Sequence, residues 1–284
     1  MKVYKFRDFD GEGYSLDALR NSYAWFSSPA ELNDPFEGYS NVGQLRLEGV
    51  PERFMFRMYN HLLIELGMAR TLVQAEQITR ERYIRDPEGF KEVQREAVES
   101  FLKELADGRN SLGIFSTSIS SDEHGIPAHY QNMLMWAHYG GGFKGFCIEW
   151  SQPDLMDSFE RLNDTVRVAG KPISYSVSPN ICNFDEAEHI NEVSMSFYKS
   201  LQVKHEQWRY ECEYRFLAQS HGQMFYSNDA ITAIYVGGRI LEENLSQLIA
   251  IVRELGSAIP IYRVDVAYAH NDYGLRLSRI DYDD

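Results

Sequence analysis

The chain has 284 residues, 44% hydrophobic and 25% charged, which is ordinary for a globular protein long enough to bury a sizeable core. A formal net charge of −14 disfavours broad contact with a phosphate backbone, which needs clustered Lys and Arg, while a local basic groove stays open. Cys147, Cys182 and Cys212 lack metal-ligand spacing and fit a reduced, cytoplasmic setting. The opening MKVYKFRDFDGEG lacks the apolar run of a secretory signal, and no stretch approaches the roughly 20 apolar residues of a membrane helix.

In chain order, KVYKF reads as a short strand. GEGYSLDALRNS follows as a turn and an amphipathic helix with Ser15 as N-cap. YAWFSSP is a second strand stopped by Pro29, and AELNDPFEGYS a loop built on Asn33, Asp34 and Pro35, with Glu37 at its far side. From about 51 to 108 the text turns helical. Phe90, Val93, Ala97, Phe101, Leu102 and Leu105 form one stripe, and the run Asp86-Pro87-Glu88-Gly89 separates this helix from the one before.

Strand text resumes at SLGIFSTSIS. NMLMWAHY is a short helix, followed by a triple-glycine turn, the strand GFCIEW and a further strand, KPISYSV. NFDEAEHINEVSMSFYKSLQVKHEQW reads as a helix leading into a strand WRYECEYRFLA. AITAIYVGG is a strand, LEENLSQLIAIVREL a helix, and IPIYRVDVAYA the last strand. The expectation is a single α+β domain over 1–284, with a helical insertion at about 51–108 on a β-rich body.

Four constellations could carry chemistry. If WRYECEYRFLA is one strand, Glu211, Glu213 and Arg215 share a face, with the two carboxylates roughly 7 Å apart. That spacing suits two acids addressing different atoms of one ligand, and it equally suits a structural acid–base ladder. In IFSTSIS, Ser116 and Ser118 share a face opposite Phe115, Thr117 and Ile119; paired hydroxyls can hold a carboxylate or a ribose. In LMWAHYGGG, His138 could act as a base and Trp136 as a stacking platform, or both could belong to the core. In the first strand, Lys5 and Arg7 share a face and could meet a pyrophosphate. Glu149, in the apolar strand GFCIEW, needs a partner, for which Arg215 and Lys204 are candidates. There is no HExxH, GxSxG, Walker loop or dinucleotide fingerprint.

The blocks YKF, FSSPAELNDPFEG, LMWAHYGGGFKGFCIEW and WRYECEYRF resemble a family of bacterial domains of unknown function. The order IFSTS then ECE is also similar to landmarks of the ADP-ribosyltransferase superfamily, and ECEYRFLA followed by AITAIYVGG looks like a passage of its DNA-modifying toxins. That resemblance implies a split mixed sheet with NAD as substrate. The acceptor would be a protein, nucleic acid or small molecule, in a toxin or phage-defence setting. It assigns Glu213 as the catalytic carboxylate that steadies the ribosyl cation and Glu211 as the group that accepts a proton from, or orients, the attacking group. Ser116 would hold Glu213, while Tyr139 or Trp136 would stack on nicotinamide. Lys5, Arg7, Thr117, Ser118, His138 and Arg215 would complete the NAD-binding set. The alternative is a non-catalytic module that binds a protein partner, with its acids in a structural ladder.

Overall fold

The computed structural model describes residues 1–34, 52–120, 129–164, 166–179, 190–256, 258–267 and 274–282. The elements run β1 (Lys2–Arg7), α1 (Tyr14–Arg20), β2 (Tyr23–Phe26), α2 (Glu52–Glu65), α3 (Leu72–Arg85), α4 (Pro87–Ser111) and β3 (Gly113–Ser118). They continue α5 (Met133–His138), β4 (Phe146–Ser151), α6 (Gln152–Leu162), β5 (Val168–Pro172), β6 (Ser174–Ser176), α7 (Ile190–Lys199) and β7 (Val203–His205). Last come β8 (Glu213–Ala218), β9 (Gly222–Phe225), β10 (Ile231–Gly237), α8 (Glu242–Glu254), β11 (Ile261–Ala267) and β12 (Gly274–Ile280). This is a mixed α+β fold. No helix among the described residues is long and apolar enough to cross a membrane.

The chain divides into two compact units. One holds Met1–Glu31, Leu112–Ile173 and Glu206–Asp284; the other holds Leu32–Ser111 and Ser174–His205. The second unit contains the helices read at about 51–108. Its aromatic centre is Phe90, ringed by Phe56, Tyr59 and Tyr83 with centroids 5.1–5.6 Å apart. The buried line of α4 runs through Phe90, Gln94, Val98 and Leu105, so the expected stripe is rotated slightly off the core. Asp34 is buried in this unit, while Glu37 and Cys182 lie outside the described residues.

The first unit is built on an eight-stranded sheet, in the order β12-β11-β10-β4-β1-β3-β8-β5. Only β10 and β11 run parallel; every other pair is antiparallel. One face is covered by α1, α6 and α8, through Leu19, Leu155, Phe159, Leu248, Ile251 and Val252, packed on Val3, Phe115, Ile148, Trp150 and Phe216. The other face carries Tyr4, Phe6, Cys147, Ala233 and Tyr235 against Met135 and Trp136 of α5.

α1 is not capped by Ser15. Gly13 stands at the cap with φ +78°, and Ser15 is buried inside the helix. Asp10 does the capping from outside: its two carboxylate oxygens accept the Tyr14 and Ser15 N–H groups at 2.8 and 2.9 Å. Burial alone would raise the Asp10 pKa, but these bonds and others from Ser15 and Gly13 outweigh it and hold the carboxyl below its usual range.

The sheet opens between β1 and β3. Tyr4 and Ser118 are the only registered pair between them. Further along, β3 bonds instead to Ser27 beyond β2, with Ser27 N–H to Ile114 O at 2.9 Å and Ile114 N–H to Ser27 O at 2.8 Å. Lys5 bridges the opening, its Nζ donating to the Ser116 carbonyl at 2.7 Å. Lys5 thus serves the backbone, in place of the pyrophosphate anchor expected from its residue type. Lys5→Met is expected to destabilise the fold by about 1–3 kcal/mol, the usual cost of stranding a part-buried acceptor. Urea unfolding checks this, and an unchanged midpoint would show that the Ser116 carbonyl finds water instead.

Candidate functional site

The register of the central strands decides which side chains meet. Across β10, β4, β1, β3 and β8 one row reads Ala233, Glu149, Tyr4, Ser118, Glu213. The next row along β3, β8 and β5 reads Ser116, Arg215, Lys171. Side chains of one row share a face. Ser116, Ser118, Glu213 and Arg215 therefore lie on the α5 side of the sheet.

Within that face Glu213 and Arg215 are nearly sealed, at 4% and 1% exposure. They form a two-point ion pair, Nε to Oε1 at 2.7 Å and Nη2 to Oε2 at 3.1 Å. The fork of a guanidinium matches a carboxylate in this way, and the geometry fixes both rotamers. Ser118, and not Ser116, stands opposite Glu213; Ser116 stands opposite Arg215.

Glu211 leaves the strand. Residues Glu206–Glu211 form a 3-10 helix, pinned by Arg209 donating to Glu206 at 2.5 and 2.6 Å. Cys212 then takes φ +43°, a left-handed conformation that non-glycine residues rarely adopt, and β8 starts only at Glu213. The expected shared face of Glu211, Glu213 and Arg215 is corrected accordingly. Glu211 is still buried at 5%, and its Oε1 accepts the Tyr139 hydroxyl at 2.5 Å. Tyr139 is thus a holder of Glu211.

α5 is tied to the same turn. Asn132 caps it, accepting from the Met135 N–H at 3.2 Å, and donates to the Tyr210 carbonyl at 2.7 Å. His138 is exposed, and its Nδ1 lies 2.9 Å from the Tyr210 hydroxyl. Trp136 is fully buried. Its indole N–H donates to the Tyr130 carbonyl, one ring face stacks on Phe143 at 5.5 Å, and Phe6 meets it edge-on at 5.0 Å. A side chain so enclosed offers no platform to nicotinamide. The glycines after α5 serve this packing: Gly141 and Gly142 have φ +56° and +64°, and a Cβ on Gly140 would lie 2.6 Å from the Trp136 ring.

Lys5, Arg7 and Thr117 belong to the opposite face. Lys5 lies over the Phe115 ring at 5.5 Å, and Arg7 lines a small cavity together with Ser15, Ala18 and Leu19 of α1. The Thr117 hydroxyl donates to the Tyr214 carbonyl at 2.8 Å. The register thus leaves Lys5 and Arg7, like Thr117, on the face away from Glu213.

What residue types alone did not bring out is the setting of Glu149. Its oxygens accept from Thr232 at 2.6 Å and Tyr235 at 2.8 Å, and Lys2 stands 3.3 Å away; neither Arg215 nor Lys204 fills the expected role. Burial pushes this carboxyl up. The Thr232 and Tyr235 hydrogen bonds, the Lys2 charge and a bond from Tyr4 overcome that push and hold it below the ordinary range. Burial, aided by the Glu149 charge, drives the Tyr4 and Tyr235 phenols far upward, so both stay protonated donors. Among the described residues no group of three or more His, Cys, Asp and Glu could hold a metal ion.

Two outcomes follow. Arg215→Met strands a buried carboxylate and is expected to destabilise by about 3–5 kcal/mol, whereas Glu213→Leu combined with Arg215→Met recovers most of the loss. Chemical denaturation of the three variants measures this, and a double variant no better than the single one would contradict it. Glu149 is ionised more readily in the fold than in the unfolded chain. Its stabilisation is present above about pH 4.3, the free glutamate value, and is lost as the pH falls through the lower folded value. Thermal unfolding across pH 2–6 is therefore expected to show a shallower acid limb for Glu149→Gln than for wild type; parallel limbs would exclude the linkage.

Residues 135–216, which carry Trp136, His138, Tyr139, Glu149, Glu211, Glu213 and Arg215, match a family model described as a protein of unknown function (DUF2971). No curated protein and no solved structure was found to match the chain.

Proposed function

We propose that the chain is an NAD-dependent ADP-ribosyltransferase-like enzyme working on the sheet face of Ser118 and Glu213. The observation that carries this reading is the register: a hydroxyl on β3 stands directly opposite a buried carboxylate on β8, beside an arginine on the same face. The opening of the sheet between β1 and β3 supports the split-sheet fold that the reading requires. In this scheme the glycosidic bond from ribose C1′ to nicotinamide breaks, and neutral nicotinamide leaves. The cation left on the ribose is steadied by Glu213 more strongly than the ground state is. The acceptor's nucleophile adds to C1′, and its proton passes to Glu211, which Tyr139 orients. Arg215 turns from Glu213 to the diphosphate of NAD, because a guanidinium fork matches phosphate oxygens as well as it matches a carboxylate. The same step frees Glu213 for the sugar. Lys5, Arg7, Thr117 and Trp136 take no part.

A second reading rests on the ion pair itself. Both Glu213 oxygens are engaged by Arg215, as in a structural acid–base face of a protein-binding module. Labelled NAD separates the two. The enzyme reading expects nicotinamide release by wild type, reduced at least 100-fold in Glu213→Gln, on the scale of other preorganised electrostatic groups. It also expects release to fall in Glu211→Gln with NAD binding retained. No NAD binding by calorimetry and no nicotinamide release from wild type, with Glu213→Gln changing only Tm, would reject it in favour of the module.

A further inference from the structure

The second unit holds a polar level inside an otherwise apolar helix stack. Its inward positions are Phe56, Asn60 and Leu63 on α2, Tyr83, Thr79 and Ala75 on α3, and Phe90, Gln94 and Val98 on α4. The rings of Phe56, Tyr83 and Phe90 meet at 5.1–5.6 Å and set one level. Four residues along each helix, about 6 Å away, Asn60, Thr79 and Gln94 set the next. These three are 5%, 1% and 1% exposed. Thr79 Oγ1 donates to Asn60 Oδ1 at 2.5 Å, tying α2 to α3. The Gln94 amide Nε2 is buried with no hydrogen-bond partner among the described residues. Beyond this level Leu63 and Ala75 return to alkyl groups.

Side chains of similar size without polar atoms would fill this level and leave no amide unmet, so the level costs stability relative to hydrocarbon. Its use must lie in what it excludes. Only Asp86 lies between α3 and α4, so the chain itself fixes the level of one against the other. α2 reaches α3 through residues 66–71, a connection long enough to permit a shift of one helical turn, about 5.4 Å. We propose that Asn60, Thr79 and Gln94 form a register lock that selects one level of α2 against the α3–α4 hairpin. In the observed register the Asn60 carbonyl meets the Thr79 hydroxyl, and polar groups face polar groups. Moved one turn either way, α2 would set Phe56 or Leu63 against Thr79 and Gln94 and carry the Asn60 amide in among rings or alkyl groups. The hydrogen bond would be lost, and a buried amide and hydroxyl would be stranded. Apolar side chains at all three positions would fit their neighbours about as well in every register. The same logic holds at the core of a coiled coil, where one buried polar residue specifies alignment. The lock lies wholly in the second unit and stands independently of the reading given to Glu213.

The test is the full chain with Asn60→Leu, Thr79→Val and Gln94→Met combined. This variant is expected to melt about 2–4 °C above wild type, because the unmet amide is gone. It is also expected to lose its single register, with several amide resonances for each residue of α2 and most of the nuclear Overhauser contact between the Phe56 and Phe90 rings lost. Gln94→Met alone keeps the Asn60–Thr79 bond and is expected to raise Tm with one register retained; a fall would show that the amide is served and the level cohesive, against the proposal. A triple variant with one resonance set and the native Phe56–Phe90 contact would overturn the lock whatever its Tm. So would a triple variant that melts lower or fails to fold, because the level would then hold the unit together and not select its alignment.

Discussion

The buried ion pair of Glu213 and Arg215 is the constraint around which this face of the sheet is organised. Both residues sit on β8, between β3 and β5, with almost no exposure. Two charges taken out of water recover their desolvation cost only when geometry is good and every remaining donor and acceptor is served. The two-point contact supplies the geometry. Such a pair is a poor source of stability compared with packed hydrocarbon. It also limits what this face can accept: any ligand there would have to replace one partner of the pair or use the pair as it stands.

Alternation along a strand was legible in the sequence, but parity between strands was not. That Lys5 and Arg7 share one face, and Ser116 and Ser118 another, follows from a period of two. Whether those two faces coincide depends on the register of β1 against β3, and a slip of one residue exchanges the faces. The single pair Tyr4 and Ser118 fixes it, placing Tyr4 and not Lys5 beside the serines. No composition or motif encodes that choice, because both sets are polar enough to fit either side.

Other features were hidden for local reasons. The segment from Trp208 to Ala218 has a strand's alternation throughout, yet its first part is a 3-10 helix. The ion pair of Arg209 with Glu206, three residues apart, favours that turn, and the left-handed Cys212 ends it. GLRLSRI carries two arginines and reads as polar text, yet it forms β12, an edge strand where charge discourages further pairing. The core, by contrast, was written plainly. The strands GFCIEW and AITAIYVGG and the helix after them carry continuous or properly spaced apolar residues, and they form the centre of the first unit.

β1 joins two chemistries that the sheet keeps apart. Its even positions, Tyr4 and Phe6, face the acids; its odd positions, Lys5 and Arg7, face the opening and the helices. The opening is what makes the second set possible. Were β1 paired to β3 along its whole length, the Ser116 carbonyl would be free to enter the ladder without Lys5, and β3 would not turn to Ser27. The loss of a few ladder bonds is offset by the Lys5 bond and the Ser27 pair.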